Sequence, residues 1–354
     1  MKRNLLWVMI FVFIHTGHSQ LATPRIDSIV NVQTVQNRFE GVILIAEKGE
    51  IQYHWAYGFS DEAMNQEIDV NTAFGIASIT KMLTAIIILQ LVGEEKLNLS
   101  DSVGELLPSL NIPSGNKITV HHLLLHISGL PNEQDYLYQN KLSPIEFVAK
   151  TLGNTKKLKN FGKFNYANID YVLLGIIASS LENKSWKDLV KERIIKKLSL
   201  TKTGFLSKDV KPENFAYSFQ FNKKGERVKD SNFYIENFNA AGCMYSTTAD
   251  LLQIDQAMYG NDLLSDELKK LMYTSYPEYN YSGYSVWTYN YPFLKNAPLL
   301  MERRGGILGA NSTLVRFLNS NKTLIILNNN GQFNPDSFGD MNNLKESLIM
   351  EIGK

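Results

Sequence analysis

A serine and a lysine three residues apart, Ser78 and Lys81, stand at the start of an apolar stretch. The hydrophobic pattern of residues 79–92 predicts a buried helix. Because residues three apart share one face of a helix, the serine hydroxyl would lie beside the lysine amine. A lysine held against apolar surroundings gives up its charge more readily and can accept a proton near neutral pH. The pair therefore predicts a nucleophilic serine activated by a lysine.

The same Ser-x-x-Lys spacing occurs twice more, at residues 114–117 and 199–202. The first lies in a loop containing proline and glycine, and the second lies at the end of a predicted helix. Only Ser78 begins a long apolar helix. Position therefore favours Ser78, although the spacing alone leaves a catalytic serine and a chance pattern equally open.

Tyr166 and Asn168 form a second pair, in a turn just before a helix predicted from Asp170. A phenol in a cationic pocket can relay a proton, and an asparagine amide can hold a substrate carbonyl. The same spacing occurs at residues 138–140 and 259–261, so it is not specific by itself. A capped helix with a packed tyrosine is the structural alternative.

Two adjacent glycines, Gly305 and Gly306, follow Arg303 and Arg304 on a predicted strand near the end of the chain. Glycines there let a substrate backbone approach closely and leave an N–H group free to face an oxyanion. A glycine-rich turn between strands fits the bare sequence equally well. Side-chain alternation along a strand places Arg303 and Gly305 on one face and Arg304 on the other.

The order and spacing of these motifs resemble the serine β-lactamase and penicillin-binding-protein-like superfamily, in its branch of class C β-lactamases, D-alanyl carboxypeptidases and esterases. The resemblance covers about residues 37–330. The segments that carry it are residues 74–81, 91–101, 118–131, 166–168, 241–252 and 303–309. It implies that Ser78 is the nucleophile, that Lys81 and Tyr166 move protons, and that Asn168 orients the substrate.

The strand motif departs from the family pattern. Arg303 stands where lysine or histidine is usual, and Arg304 where a hydroxyl residue is usual. The resemblance implies substrate binding at Gly305 and Gly306, with the N–H groups of Ser78 and Gly306 facing the oxyanion. An arginine keeps its proton, so we expect Arg303 to clamp an anionic end of the substrate rather than relay a proton. The Lys-Thr-Gly at residues 202–204 directly follows a helix and resembles a linker instead.

Predicted strands lie toward both ends of the chain, and most of the predicted helices lie between them. Residues 41–57 predict a hairpin, and strands are predicted at 284–289, 299–303, 312–318 and 323–327. Helical patterns occupy residues 144–152, 170–181, 186–198 and 343–352. We expect an α/β (α+β) fold of the β-lactamase/transpeptidase type, an antiparallel sheet flanked by helices with a mostly helical region inserted. The expected parts are an α/β domain from residues 20–75 and 230–354 and a helical region from residues 76–229.

Residues 1–19 have the order of a secretory signal peptide, with Lys2 and Arg3, then ten apolar residues, then small residues near Ser19. Ten apolar residues are too few to cross a bilayer, so no stable membrane anchor is expected. The mature protein is expected in a bacterial periplasm or in the medium.

The chain has 354 residues, of which 44% are hydrophobic and 20% are charged, as in an ordinary globular protein. A formal net charge of +1 gives no reason to expect nucleic acid as a partner. No cofactor or metal is expected, because a single cysteine, Cys243, excludes a site built from cysteines and favours packing. Packing is also favoured for His121, His122 and His126, since no carboxylate cluster lies near them in sequence.

These observations predict an exported serine hydrolase that forms an acyl-enzyme with a small-molecule or peptide substrate. A D-amino-acid peptide or a small ester is favoured over a β-lactam, and the substrate is expected to carry a carboxylate. The alternative is a catalytically inactive family member that binds cell-wall peptides or a protein partner, which the two arginines at 303 and 304 would favour.

Overall fold

The computed structural model describes residues 23–36, 38–61 and 63–354, so the predicted signal peptide lies outside the described residues. The strands are β1 (Gly41–Glu47), β2 (Glu50–Tyr57), β3 (Phe74–Gly75), β4 (Gly204–Phe205), β5 (Phe219–Phe221), β6 (Arg227–Lys229), β7 (Met244–Ser246), β8 (Trp287–Asn290), β9 (Leu299–Ile307), β10 (Ala310–Phe317) and β11 (Lys322–Asn328). The helices are α1 (Thr23–Val35), α2 (Thr80–Gly93), α3 (Val103–Leu106), α4 (Val120–Leu124), α5 (Pro144–Leu152), α6 (Asn168–Glu182), α7 (Trp186–Val190), α8 (Thr248–Tyr259), α9 (Asp266–Tyr273) and α10 (Leu344–Ile352). In the part of the chain that the structure describes, no helix is both long and apolar enough to cross a membrane.

Six strands form one antiparallel sheet in the order β2-β1-β11-β10-β9-β8. The N-terminal hairpin joins the C-terminal strands where β1 pairs with β11, from Gly41 opposite Asn328 to Glu47 opposite Lys322. The predicted architecture, a sheet built from both parts of the chain around a helical middle, is therefore confirmed. The limits expected for the two regions stay a prediction.

Helices cover both faces of this sheet. Residues of α1 and α10 pack with Ile43 and Ile326 on one face, and residues of α2 and α8 pack with Leu44 and Ile325 on the other. Because side chains alternate along a strand, the central strands supply both layers. The run of buried residues in β1 reflects this double coverage.

Helix α2 is the buried centre of the helical region. Its residues from Thr80 to Leu89 are all buried, and it packs against α6, α7 and α9. It is preceded by a 3₁₀ turn, Ala77–Ile79, which contacts β9 and β10. The start of α2 is thus fixed at the junction of the helical region with the sheet, beside β9.

Two predicted elements differ in the structure. The helix predicted over residues 186–198 ends at Val190 as an α-helix and continues as a π-helical turn, Lys191–Lys196. The strand predicted from residue 284 begins at Trp287, because Ser285 has a φ of 71°, a left-handed conformation that does not continue a strand. The small sheets, β3-β7-β4 and β5-β6, have strands of two or three residues, which are too short to give a periodic signal.

Candidate active site

Ser78 lies in the 3₁₀ turn that leads into α2. It is partly exposed, whereas its neighbours Ala77 and Ile79 are buried. Ala77 has a φ of 43°, a left-handed conformation that residues with a side chain rarely adopt. Strained backbone persists only where the surrounding structure enforces it, and such positions cluster at functional sites. The turn therefore holds Ser78 in a conformation that packing imposes.

The Lys81 amine joins three parts of the site. Its Nζ donates to Ser78 Oγ at 2.9 Å, to Asn168 Oδ1 at 2.7 Å and to the carbonyl of Ala241 at 2.8 Å. The residue is fully buried, and this burial lowers the pKa of the amine below its usual value. An amine with a lowered pKa within hydrogen-bond reach of a serine hydroxyl can take up the hydroxyl proton.

Tyr166 precedes α6 and points its hydroxyl at two cations. Its Oη accepts a hydrogen bond of 2.8 Å from Arg303 Nη2, and Lys81 Nζ lies 4.9 Å from the centre of its ring. Burial raises the pKa of the phenol, but the charges of Arg303 and Lys81 together lower it by more. The resulting pKa is about 8. A phenol that ionises this close to neutral pH suits a proton relay.

Asn168 is held at both ends of its amide. Its Oδ1 accepts from Lys81, and its Nδ2 donates to Glu133 Oε1 at 2.7 Å. The same Glu133 oxygen accepts from the Tyr138 hydroxyl at 2.7 Å. Sequence reasoning missed Glu133, because it lies in a loop that shows no periodicity and no motif of its own. Its proximity to Asn168 arises only when the loop after α4 folds over the start of α6.

Strand β9 packs directly on the turn that carries the serine. A Cβ atom on Gly305 would lie 2.3 Å from the carbonyl oxygen of Ile76 and 3.1 Å from the backbone nitrogen of Ser78, so only glycine allows this approach. A Cβ atom on Gly306 would meet only the Asn311 side chain, at 3.0 Å. Gly305 is therefore required by the packing of the strand against the serine.

The two arginines occupy opposite faces of the sheet, as side-chain alternation predicts. Arg303 faces the serine, whereas Arg304 forms ion pairs with Asp336 and with Glu302 Oε1, the latter at 3.4 Å. Glu302 is itself buried and paired with Lys345 Nζ at 2.6 Å. Arg304 thus belongs to an ionic network behind the site.

The structure gives Arg303 contacts that the sequence did not predict. Its side chain is only 1% exposed. All three guanidinium nitrogens donate to the protein, Nε to Ser78 O at 2.7 Å, Nη1 to Ser285 O at 2.8 Å and Nη2 to Tyr166 Oη. These bonds use three of the five N–H groups of the guanidinium, and its burial argues against contact with a substrate carboxylate. Arg303 instead ties β9 to the serine and the tyrosine.

Other sequence candidates lie outside this network. Burial raises the pKa of the Cys243 thiol to about 12, which leaves it unreactive as a nucleophile near neutral pH. His121 Nδ1 lies 2.7 Å from Tyr284 Oη, and the His122 side chain caps α4 at Thr119. Within residues 23–36, 38–61 and 63–354, no three His, Cys, Asp or Glu residues are grouped so as to hold a metal ion.

Known proteins are similar to this chain in sequence and in fold. A family model described as Beta-lactamase matches residues 26–347. Penicillin-binding protein 4* of Bacillus subtilis (strain 168) is 27% identical over an alignment of 319 residues, which covers 83% of this chain and 69% of that protein.

Two solved structures illustrate the likeness. The octameric penicillin-binding protein homologue from Pyrococcus abyssi superposes with a TM-score of 0.79 at 23% identity, over 94% of this chain and 78% of that one. The D-amino acid amidase from Ochrobactrum anthropi SV3, complexed with L-phenylalanine amide, has a TM-score of 0.78 at 21% identity, over 93% and 96% of the two chains. At this level of identity the superpositions establish the fold, and they confirm the predicted fold class.

Proposed function

The chain belongs to the Beta-lactamase family of serine hydrolases, and on that premise we propose that it hydrolyses an amide or an ester through an acyl-enzyme formed on Ser78. One observation carries the proposal. A fully buried lysine amine, Lys81 Nζ, lies 2.9 Å from Ser78 Oγ, and its pKa is lowered by that burial. Burial thus favours the neutral amine, the form in which Lys81 can accept the proton of the Ser78 hydroxyl.

In the acylation step, Ser78 Oγ attacks the substrate carbonyl carbon and its proton passes to the pair formed by Lys81 and Tyr166. The new C–O bond displaces the carbonyl electron pair onto oxygen, where the N–H groups of Ser78 and Gly306 stabilise the negative charge. The bond to the leaving group then breaks, and the leaving group takes a proton from Tyr166. Tyr166 is suited to both transfers because its pKa is about 8.

In the deacylation step, water attacks the acyl carbon and gives its proton to the same pair. The second tetrahedral intermediate collapses, the bond to Ser78 Oγ breaks, and the serine recovers its proton. The products are a carboxylic acid and the free enzyme. Asn168 keeps Lys81 in position through both steps, because its Oδ1 accepts from the amine.

We propose that the substrate is a neutral ester or amide, with D-amino-acid amides included, in preference to a β-lactam. The support is the burial of Arg303, which already donates three of its five N–H groups to protein acceptors. β-Lactam antibiotics and peptides with a free C-terminus carry a carboxylate, which a guanidinium buried in this way is poorly placed to bind. The fold similarity to a D-amino acid amidase supports the amide class.

A panel of substrates tests this proposal. Mature protein and a Ser78→Ala variant are assayed with p-nitrophenyl esters, D-amino acid amides, D-Ala-D-Ala peptides and nitrocefin. We expect the neutral esters and amides to be hydrolysed with kcat/KM at least about tenfold above nitrocefin, a difference that one lost charged contact supplies, and no turnover by Ser78→Ala. Preference for nitrocefin would overturn the substrate class. Binding of D-Ala-D-Ala peptides without any turnover would favour an inactive binding protein.

We also propose that the protein acts outside the cytoplasm, in the periplasm or the medium. The charged, apolar and small-residue order of residues 1–19 supports this. N-terminal sequencing of protein recovered from those fractions should give a start near residue 20. Protein that stays in the cytoplasm with its first 19 residues intact would contradict the proposal.

A further inference from the structure

A buried histidine and aspartate lie directly behind Tyr166 and take no part in the reaction steps above. His126 is 4% exposed and Asp170 is 0% exposed, and Nδ1 of the histidine lies 2.9 Å from Oδ2 of the aspartate. The other carboxyl oxygen, Oδ1, accepts a hydrogen bond of 2.6 Å from Ser128 Oγ. Since Asp170 lies in the first turn of α6, this chain of hydrogen bonds joins the segment after α4 to the start of α6.

His126 contacts the turn that carries Tyr166 at three points. Its carbonyl oxygen accepts the N–H of Asn165 at 2.8 Å. Its Nδ1 accepts the N–H of Ala167 at 3.3 Å. Its ring lies against the Tyr166 ring, with 4.3 Å between the ring centres. The histidine therefore fixes the backbone on both sides of Tyr166 as well as the plane of the phenol.

The backbone of His126 is in the left-handed region, with a φ of 58°. Histidine is one of the few residues with a side chain that is enriched there. This conformation ends α4 and lets both the carbonyl and the ring of His126 reach the Tyr166 turn. A strained position next to the site is expected where the surrounding contacts hold it for a purpose.

We propose that His126 is a positioning residue for the reaction, which keeps the Tyr166 hydroxyl in line with Ser78 and Lys81. In this proposal Asp170 is a neutral acid whose hydroxyl group donates a hydrogen bond to His126 Nδ1. The inference rests on the proposed function, because Tyr166 relays protons in it. It adds residues behind Tyr166 that determine the position of its hydroxyl group.

The contact with the Ala167 N–H bears on where the proton lies. In the proposed arrangement Nδ1 accepts from that N–H, so the neutral ring carries its hydrogen on Nε2, which has no hydrogen-bond partner among the described residues, and the contact with Asp170 needs a proton on the acid. Burial raises the pKa of Asp170 well above its usual value and lowers that of His126 well below. The groups that face the histidine are Lys81 from α2, Arg303 from β9, Tyr166 from the turn, and Asp170 and Tyr171 from α6. Two of these are cations, which further disfavour a charged imidazole.

Three variants separate the contacts. His126→Phe keeps a ring against Tyr166 but offers no acceptor to the Ala167 N–H. His126→Asn keeps a polar acceptor and suits the left-handed backbone but removes the ring. Asp170→Asn imitates a protonated carboxyl group, because its amide can donate to Nδ1 and accept from Ser128. His121→Phe is the matched control, since His121 bonds to Tyr284 and not to the Tyr166 turn.

Two measurements are made on each variant. The first is the ionisation of Tyr166, from ultraviolet absorbance titration with the Tyr166→Phe protein subtracted. The second is the rate at which a fluorophosphonate acylates Ser78, as a function of pH. In both His126 variants we expect the pKa of Tyr166 to rise by about one unit or more toward its usual value of about 10. Acylation should slow by at least about tenfold, while the KM for a small neutral ester stays unchanged.

Asp170→Asn and the control variant His121→Phe are expected to stay within about threefold of the wild-type acylation rate, with the pKa of Tyr166 unchanged. An unchanged pKa and rate in the folded His126 variants would overturn the positioning role. If the acylation rate of folded Asp170→Asn falls by more than about a hundredfold, Asp170 is not a neutral acid. Only the loss of an ionised carboxylate would have so large an effect.

Folding and function are controlled separately. If His126→Phe does not fold, the His126→Asn and Asp170→Asn proteins decide the matter by the same two measurements. If the wild-type protein is not acylated at all, the proposed function fails. The absorbance titration of Tyr166 still decides whether His126 positions the phenol, so the two failures are distinguishable.

Discussion

Replacing Arg303 by methionine removes a fixed charge from the centre of the site while keeping a side chain of similar length. In the wild-type protein the guanidinium donates to Tyr166 Oη at 2.8 Å, and its charge lowers the pKa of that phenol. With that charge gone, burial raises the pKa of Tyr166 toward its usual value of about 10, against the remaining effect of Lys81. The expected result is loss of the phenolate at neutral pH.

The size of the effect follows from the ionised fraction. A phenol with a pKa of about 8 is half ionised at pH 8, whereas a pKa of about 10 leaves about 1% phenolate at that pH. A rate that depends on the phenolate should therefore fall by up to about fiftyfold at pH 8. The loss should shrink as the pH rises toward about 10, because the activity of a base appears as pH passes through its pKa. The carbonyls of Ser78 and Ser285 also lose their donors, which costs about 1–3 kcal/mol of stability each.

The assay is the pH dependence of kcat/KM for a neutral and a carboxylate-bearing p-nitrophenyl ester. Because Arg303 is buried, both esters should lose activity equally, with the acid limb of both profiles moved to higher pH. Arg304→Met is the matched control, since it removes a charge one residue away on the opposite face of the sheet. It should lower stability without moving the acid limb. A loss confined to the KM of the charged ester would refute the reasoning and restore Arg303 as a substrate clamp.

Four further variants test separate contacts. Tyr166→Phe should lower kcat by about a hundredfold or more in steady-state assays, because only the hydroxyl that relays the proton is removed; activity retained with a lowered Tm would make the tyrosine structural. Gly305→Ala should lower the rate at which a fluorophosphonate acylates Ser78 by at least about tenfold, since its Cβ would lie 2.3 Å from a backbone oxygen. In Gly306→Ala the new Cβ meets only a side chain, so Ser78 should be acylated faster in this variant than in Gly305→Ala. Lys345→Met should cost about 3–5 kcal/mol in denaturant unfolding, because it leaves the buried Glu302 without a main partner; an unchanged free energy of unfolding would show that the pair contributes nothing.

Much of the fold is legible in the sequence, because its main elements have strong periodic patterns. The hairpin at residues 41–57 and helix α5 at residues 144–152 have the predicted limits, and α2 differs from its prediction by one residue at each end. The π-helical turn at Lys191–Lys196 and the late start of β8 were not predictable, since both depend on packing and on the backbone conformation at Ser285. Local patterns do not contain that information.

The site divides in the same way. The motif spacings single out Ser78, Lys81, Tyr166 and Asn168, and the structure brings these four together. The substrate contact predicted for Arg303 stays a prediction, and the hydrogen bonds of its guanidinium were not predictable, because alternation gives the face of the sheet on which a side chain lies but not the acceptors that meet it after folding. One of the carbonyls that accept from the guanidinium belongs to Ser78, which is 225 residues away in the sequence. The other belongs to Ser285, in the turn before β8.

Mass spectrometry of the acylated protein tests the nucleophile most directly. Protein treated with a fluorophosphonate is digested, and the adduct is assigned to a residue by fragmentation of the labelled peptide. We predict one phosphonyl group on Ser78, lost in Ser78→Ala and retained in Ser199→Ala, the serine of another Ser-x-x-Lys pattern. An adduct on any other residue, or full labelling of Ser78→Ala, would contradict the assignment of Ser78 as the nucleophile.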